Sequence, residues 1–296
     1  MSAEHVIPRK RPLALLMLAL LPGLSAPALA EGKGKGPAIT SPSVAACSTR
    51  YPQVAAPSPA LQAEDAQAAI REGFATRRDW GTENAERLPA GETGLDEAGL
   101  RIHYPEGTSS PGDTETGGAG FYAAPDALAG AERACLQYRV RFEPGFDFVK
   151  GGKLPGLYGG EAPSGGEEAD GENGFSMRYM WRANGQGELY EYAVDQHEDY
   201  GKSVGRGRWT FPTGQWVTLE QEIILNDPGQ ENGMARVWVD GQPILEQGGI
   251  VYRTSESVTI DGLMFSTFFG GHGKDWRTPR DQHVDFAGFR FHAPRS

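Results

Sequence analysis

From about Leu100 onward the chain runs in short stretches where apolar and polar residues alternate: "LRIHY", "CLQYRVRF", "GFSMRYMWR", "ELYEYAV", "WVTLEQEIIL", "MARVWV", "SVTIDGLMFSTFF" and "HVDFAGFRFH". Gly, Pro, Asn and Asp separate them. Side chains on a strand point alternately to opposite faces, so each stretch reads as a strand with one buried face. Asp240-Gly241, directly after "VWV", is a hairpin turn signal. Many short strands with little helix predict an all-β fold, an antiparallel β-sandwich of the jelly-roll kind. No internal repeat interrupts the pattern.

The stretch "GFSMRYMWRANGQGELYEY", residues 174 to 192, carries the most chemistry. On its first strand Ser176, Arg178 and Arg182 share one face, and Phe175, Met177, Tyr179 and Trp181 share the other, which reads as core. On its second strand Tyr190 and Tyr192 share a face with Glu188, opposite Leu189 and Ala193. A two-residue Asn184-Gly185 turn pairs Arg178 with Glu191 and sends the tyrosines to the core side. A three-residue loop, Asn184-Gly185-Gln186, pairs Arg178 with Tyr192, Met180 with Tyr190 and Arg182 with Glu188, and sets Trp181 against Leu189. Only the odd-length loop makes both faces consistent, so it is the expected one. Ser, Arg and two Tyr then stand side by side on one face.

Upstream the pattern differs. Arg9, Lys10 and Arg11 precede the apolar run Leu13 to Leu21, and Ala28-Leu29-Ala30 offers a small-residue cleavage site, so residues 1–30 read as a secretory signal peptide. Pro22 and Gly23 break the run too early for a bilayer span. Residues 31–45, rich in Gly, Pro, Ser and Lys, read as a flexible leader. A short helix is expected near 58–72, started by Ser58 or Pro59 and stopped by Gly73. Residues 46–296 are expected to form one domain, secreted or periplasmic and acting as a monomer.

The chain has 296 residues, 41 of them Gly and 21 Pro, and a formal net charge of −11. Losing the basic leader residues makes it more acidic still, which argues against a nucleic-acid partner. Yet Lys150, Lys153, Arg178, Arg182, Lys202, Arg206 and Arg208 fall within one central region. A basic groove in an acidic protein suits a polyanionic substrate. The two cysteines, Cys47 and Cys135, are expected to form a disulfide in an exported protein, with two buried thiols as the alternative. Neither has a plausible base beside it.

The run "FDFVKGGKLPGLYGG", then "GFSMRYMWR", "ELYEYAVDQ", "LNDPGQENGMARVWVDG" and "FSTFFGGHGKDW", resembles polysaccharide lyase family 14 over residues from about 135 to 292. That family contains alginate lyases and related polyuronate lyases with a β-jelly-roll fold. The resemblance puts its functional lysine, in Lys-Leu-Pro-Gly, on Lys153. Its Ser-x-Arg pair falls on Ser176 and Arg178, and its Tyr-x-Tyr pair on Tyr190 and Tyr192.

The chemistry so implied is β-elimination on an anionic, uronate-containing polysaccharide: loss of the C5 proton, expulsion of the C4 oxygen and an unsaturated sugar end. Arg178 and Lys153 are expected to neutralise the uronate carboxylate, Arg178 through its bidentate fork. Ser176 is expected to add a hydrogen bond. Tyr192 is the first choice for base, its phenolate favoured by the neighbouring cations, and Tyr190 for proton donor or substrate contact. Lys150 rivals Lys153, and Arg182, His197 and His272 are candidates to line the groove. No cofactor is implied and no metal-type His/Cys spacing is present; the acidic loop "EAPSGGEEADGEN", 161 to 173, reads as solvated rather than as a calcium site.

Each residue also has a plainer reading. An arginine beside tyrosines is often a surface cation–π contact, and a lysine in "GGKLPG" an ordinary loop lysine. A non-catalytic carbohydrate-binding jelly roll would use Trp181, Trp209, Trp216, Trp238 or Trp276 as stacking platforms. A glycoside hydrolase would need two facing carboxylates, and Glu188 and Glu191 fall on opposite faces by parity.

Overall fold

The alternating stretches form two antiparallel sheets that close face to face. The computed structural model describes residues 39–56, 65–76, 78–112, 116–194, 198–271 and 273–295. The expected signal peptide, Ser58, Pro59, His197 and His272 lie outside these residues. In spatial order the back sheet contains β13 (Gln242–Ile250), β12 (Gly233–Val239), β11 (Val217–Ile224), β6 (Arg133–Phe142), β15 (Gln282–His292), β4 (Gly99–Tyr104) and β3 (Ala85–Leu88), and β1 (Gln53–Ala55) also pairs with β15. The front sheet contains β10 (Lys202–Val204), β9 (Gly187–Tyr192), β8 (Gly174–Arg182), β7 (Gly151–Gly160), β14 (Gly262–Phe269), β5 (Ala119–Ala123) and β2 (Asp79–Trp80). This is the expected jelly-roll sandwich.

The core lies where the inner faces meet. Leu136, Tyr138, Val140 and Phe286 come from the back sheet, and Leu154, Met177, Tyr179, Trp181 and Phe265 from the front. Area removed from water by such side chains stabilises a sandwich of this kind. Asp240 and Gly241 both adopt positive φ between paired Val239 and Gln242, the two-residue turn their sequence signals. The helix α2 (Ala66–Gly73) starts where the Asp65 side chain accepts the Ala68 N–H, eight residues after Ser58, the first expected start.

The 174–192 hairpin keeps the expected faces with a different register. Arg178 pairs with Tyr190, Ser176 with Tyr192, Met180 with Glu188, Tyr179 with Leu189 and Trp181 with Gly187. The loop is Ala183–Gly185, closed by the Arg182 N–H donating to the Gln186 carbonyl at 2.7 Å. Asn184 and Gly185 both take the left-handed conformation, and a Cβ on Gly185 would press 2.7 Å from the Phe211 carbonyl oxygen. The loop is odd-length as expected but begins one residue earlier. Partners therefore slip by two, which leaves every side chain on its own face.

β7, "GGKLPGLYGG", is a strand that the alternation does not announce, because Gly and Pro break the pattern. It sits between β8 and β14 and bulges between Leu154 and Leu157, so these two leucines both enter the core. A Cβ at Gly156 would collide with the Met177 carbonyl oxygen. The bulge frees polar backbone groups, and Gln221 of the opposite sheet satisfies them: its Oε1 accepts the Leu157 N–H at 2.7 Å and its Nε2 donates to the Met177 carbonyl at 2.6 Å. Gln221 is completely buried. Replacing it with Leu orphans both groups, and urea unfolding should show a loss of about 3 kcal/mol. An unchanged midpoint would mean that water enters to take its place.

Cys47, in the short helix α1 (Cys47–Arg50), is bonded to Cys135 on β6. The bond pins the N-terminal segment over the back sheet, where Glu222 accepts from Arg50 at 2.6 Å, from Arg236 at 3.0 Å and from Tyr51. Among the described residues, no helix is long and apolar enough to cross a membrane.

Candidate active site

The outer face of the front sheet forms a cleft of about 750 Å³. Its floor is the polar side of the 174–192 hairpin together with β7 and β14. The β7 bulge matters here. It changes the phase of the strand so that Lys153 and Tyr158, five residues apart, both point outward. A regular strand would send them to opposite faces.

Lys153 is only 8% exposed. Its Nζ lies 3.2 Å from Met180 Sδ and 4.2 Å above the Tyr190 ring. Burial, reinforced by the nearby Arg178 and Arg182 charges and only partly offset by Glu188, holds its ammonium well below the usual lysine range. Burial thus disfavours the charged ammonium that the expected role as a fixed cation needs.

Arg178 is 3% exposed, and no carboxylate pairs with it among the described residues. Its Nε has no hydrogen-bond partner. Its guanidinium stands 5.8 Å from the Tyr190 ring centre and 5.7 Å from that of Tyr192. Burial lowers its pKa while the tyrosines act the other way, and an arginine stays charged throughout. A buried cation without an anion is costly, so its occupant is expected to be an anionic ligand.

Tyr190 and Tyr192 meet edge to face with ring centres 5.6 Å apart. Burial, more than the Tyr192 neighbour, pushes the Tyr190 phenol up, and Arg178 and Arg182 offset only part of this. A phenol kept protonated is what the expected role of Tyr190 as proton donor requires. The Tyr192 hydroxyl accepts the Gly166 N–H at 3.3 Å.

The remaining expected residues separate. Ser176 is on the right face but completely buried, and its hydroxyl donates to the Pro163 carbonyl at 2.7 Å. It anchors the 161–173 loop and is not among the residues that line the cleft, where the expected substrate contact would have to stand. Arg182 lines the cleft with its charge held by Glu188, whose carboxylate also takes Arg206 and Ser203. Lys150, the expected rival of Lys153, is exposed, pairs with Asp275 at 3.0 Å and is not among the residues that line the cleft. Asp170 in the acidic loop spends one oxygen on the Glu172 and Asn173 N–H groups.

Several cleft residues escape a motif-based reading: Trp80, Tyr122, Met180 and Phe268. Only Met180 carried a signal, since it shares parity with Arg178. Of the candidate stacking tryptophans, Trp181 and Trp238 are fully buried and only Trp276 lines the cleft, so a platform of stacked indoles is not what the sheet presents.

A two-sheet jelly roll whose outer face gathers lysine, arginine and paired tyrosines, with no carboxylate among the described residues that line the cleft, fits a polysaccharide lyase, whereas a hydrolase needs two facing carboxylates. The model of the polysaccharide lyase 14 family matches residues 93–289, and the chain belongs to that family. The marine alginate lyase of this family from Aplysia kurodai is 31% identical, with 82% of this chain covering 100% of that one at a TM-score of 0.73. The alginate lyase Aly36B, solved with an alginate trisaccharide, shares the fold at 22% identity and a TM-score of 0.65, with 88% of this chain covering 99% of it. The endo-β-1,4-glucuronan lyase of the fungus Trichoderma reesei shares it at 12% identity and a TM-score of 0.50, over 74% of this chain and 91% of that one. No curated protein sequence matches the chain.

Proposed function

We propose that this protein is an exported polyuronate lyase that cleaves alginate or a related uronate polymer by β-elimination. The observation that carries this reading is Arg178, a buried guanidinium with no carboxylate of its own at the floor of an open cleft. A uronate carboxylate would complete it in a bidentate pair and lose the negative charge that keeps the C5 proton weakly acidic. The Lys153 amine takes that proton, the C5–H electrons form the C4–C5 double bond, and the C4–O bond breaks. Tyr190, kept protonated by its burial, gives its proton to the departing oxygen. Tyr192 packs against Tyr190 and holds the loop through Gly166. The base is thus reassigned from Tyr192 to Lys153.

Lys153 and Tyr190 rise from the same sheet face, 4.2 Å from amine to ring centre. Proton removal and donation on one side of the sugar suit mannuronate and glucuronate, where H5 and the C4 oxygen lie on the same side. The basic-apolar start of the chain with Ala28-Leu29-Ala30 supports export. Incubation with mannuronan, guluronan and glucuronan should raise ultraviolet absorbance from the new double bond, most with mannuronan or glucuronan. No absorbance gain with any uronate polymer would overturn the reading.

A further inference from the structure

The cleft does not end at the catalytic groups. Beyond Tyr122 it continues into a second pocket of about 650 Å³, and Tyr122 lines both. Tyr122 stands close enough to Arg178 for its phenol to favour the charged guanidinium. On its other side the Arg78 guanidinium stacks 3.8 Å from the ring centre. The catalytic centre and the second pocket are therefore one aromatic ring apart.

The two compartments carry opposite charge. The first holds Arg178 without a carboxylate partner, beside Lys153 and the Glu188-paired Arg182, and no carboxylate lines it among the described residues. The second is lined by Asp126, Glu161, Glu167 and Asp261 against the single cation Arg78. Asp261 is committed to the backbone, accepting the Gly160 N–H at 2.8 Å. Asp126, Glu161 and Glu167 are exposed, and no cation pairs with them among the described residues. Two of these, Glu161 and Glu167, belong to the loop that Ser176 and Tyr192 fasten beside the catalytic groups.

We infer that Asp126, Glu161 and Glu167 form an electrostatic stop that limits how many uronates bind beyond Tyr122, and so sets the length of the fragments released. This rests on the polyuronate-lyase reading and deepens it. A uronate chain carries one negative charge per sugar. Over the first compartment the uncompensated Arg178 guanidinium draws a uronate in, whereas past Tyr122 each added sugar meets carboxylates that no cation pairs among the described residues. The polymer is held on one side of the scissile bond and turned away on the other, so cleavage falls a few sugars from the acidic end of the cleft. Exposed charges act through water, so the stop weakens once salt shortens their reach below about 10 Å.

The test is the triple variant Asp126→Asn, Glu161→Gln, Glu167→Gln, whose sites are exposed and outside the catalytic set. In about 20 mM salt, the variant should raise kcat/KM on polymannuronate or polyglucuronate about three- to tenfold, and the gain should shrink in about 0.5 M salt. Mass spectrometry of the digests should show longer fragments from the variant than from the unmodified enzyme at low salt. Retardation in a polymer-containing native gel, which needs no turnover, should be stronger for the variant. Equal fragment lengths and equal retardation at low salt overturn the stop while leaving the lyase reading intact. If neither protein makes unsaturated product, the lyase reading fails, and the gel alone decides whether the acidic pocket repels the polymer.

Discussion

Lys153→Met should remove turnover and make the protein more stable. The substitution keeps an unbranched side chain of similar length against Met180 and Tyr190 while deleting a buried amine. General-base catalysis contributes about 10²- to 10⁴-fold, and kcat should fall by that much with polymer binding retained through Arg178. The stability gain follows from linkage. The folded state holds Lys153 below its ordinary pKa, so between the two values the unfolded chain binds a proton that the folded chain does not. Stability contributed by this group is therefore greatest above the unfolded value, falls as pH drops through the window and stays reduced below it. Lys153→Met should flatten that dependence and raise Tm at neutral pH. In the unmodified enzyme, activity should rise with pH as the amine loses its proton, with a midpoint below that of ordinary lysine. Substantial turnover in Lys153→Met, with none in Tyr192→Phe, would return the base role to Tyr192.

Arg178→Ala should damage both binding and chemistry. The carboxylate loses its partner in the ground state, and the developing negative charge loses it in the transition state. Loss of one such stabilising group costs about 10²- to 10³-fold in kcat, and KM should rise as well. Arg178→Lys retains a charge but not the planar fork and should recover only part of the loss. Steady-state kinetics on one uronate polymer separate the two parameters. A variant that loses stability but keeps kcat would reduce Arg178 to a packing residue against Tyr190 and Tyr192.

The hairpin shows where sequence reasoning is robust and where it is not. Its faces follow from parity, because any odd-length loop between 182 and 187 leaves Arg178, Tyr190 and Tyr192 on one side. The partners depend on which three residues turn. That was decided by contacts from outside the hairpin, among them the Phe211 N–H donating to the Gly185 carbonyl and the Gly187 N–H donating to the Trp209 carbonyl. The polar face was thus legible while the fate of Ser176 was not. The Pro163 carbonyl that binds its hydroxyl lies 13 residues earlier in the chain.

Alternation by itself determined the sandwich, the core side of each long strand, the Asp240-Gly241 turn and the grouping of Arg178 with the tyrosines, because side-chain direction along a strand repeats locally. The resemblance in Lys-Leu-Pro-Gly singled out Lys153 without revealing that it stands on a strand. Tertiary structure decided that, since the β7 bulge is sustained by Gln221 from the opposite sheet, 64 residues from Leu157. It also decided how strongly water exclusion acts on the ionisable groups. Cations along the chain argue for a lowered tyrosine pKa, but at Tyr190 burial outweighs them. Burial at Lys153 and Tyr190 is set by Met180, Phe268 and the packed loops around them, contacts that no local pattern encodes.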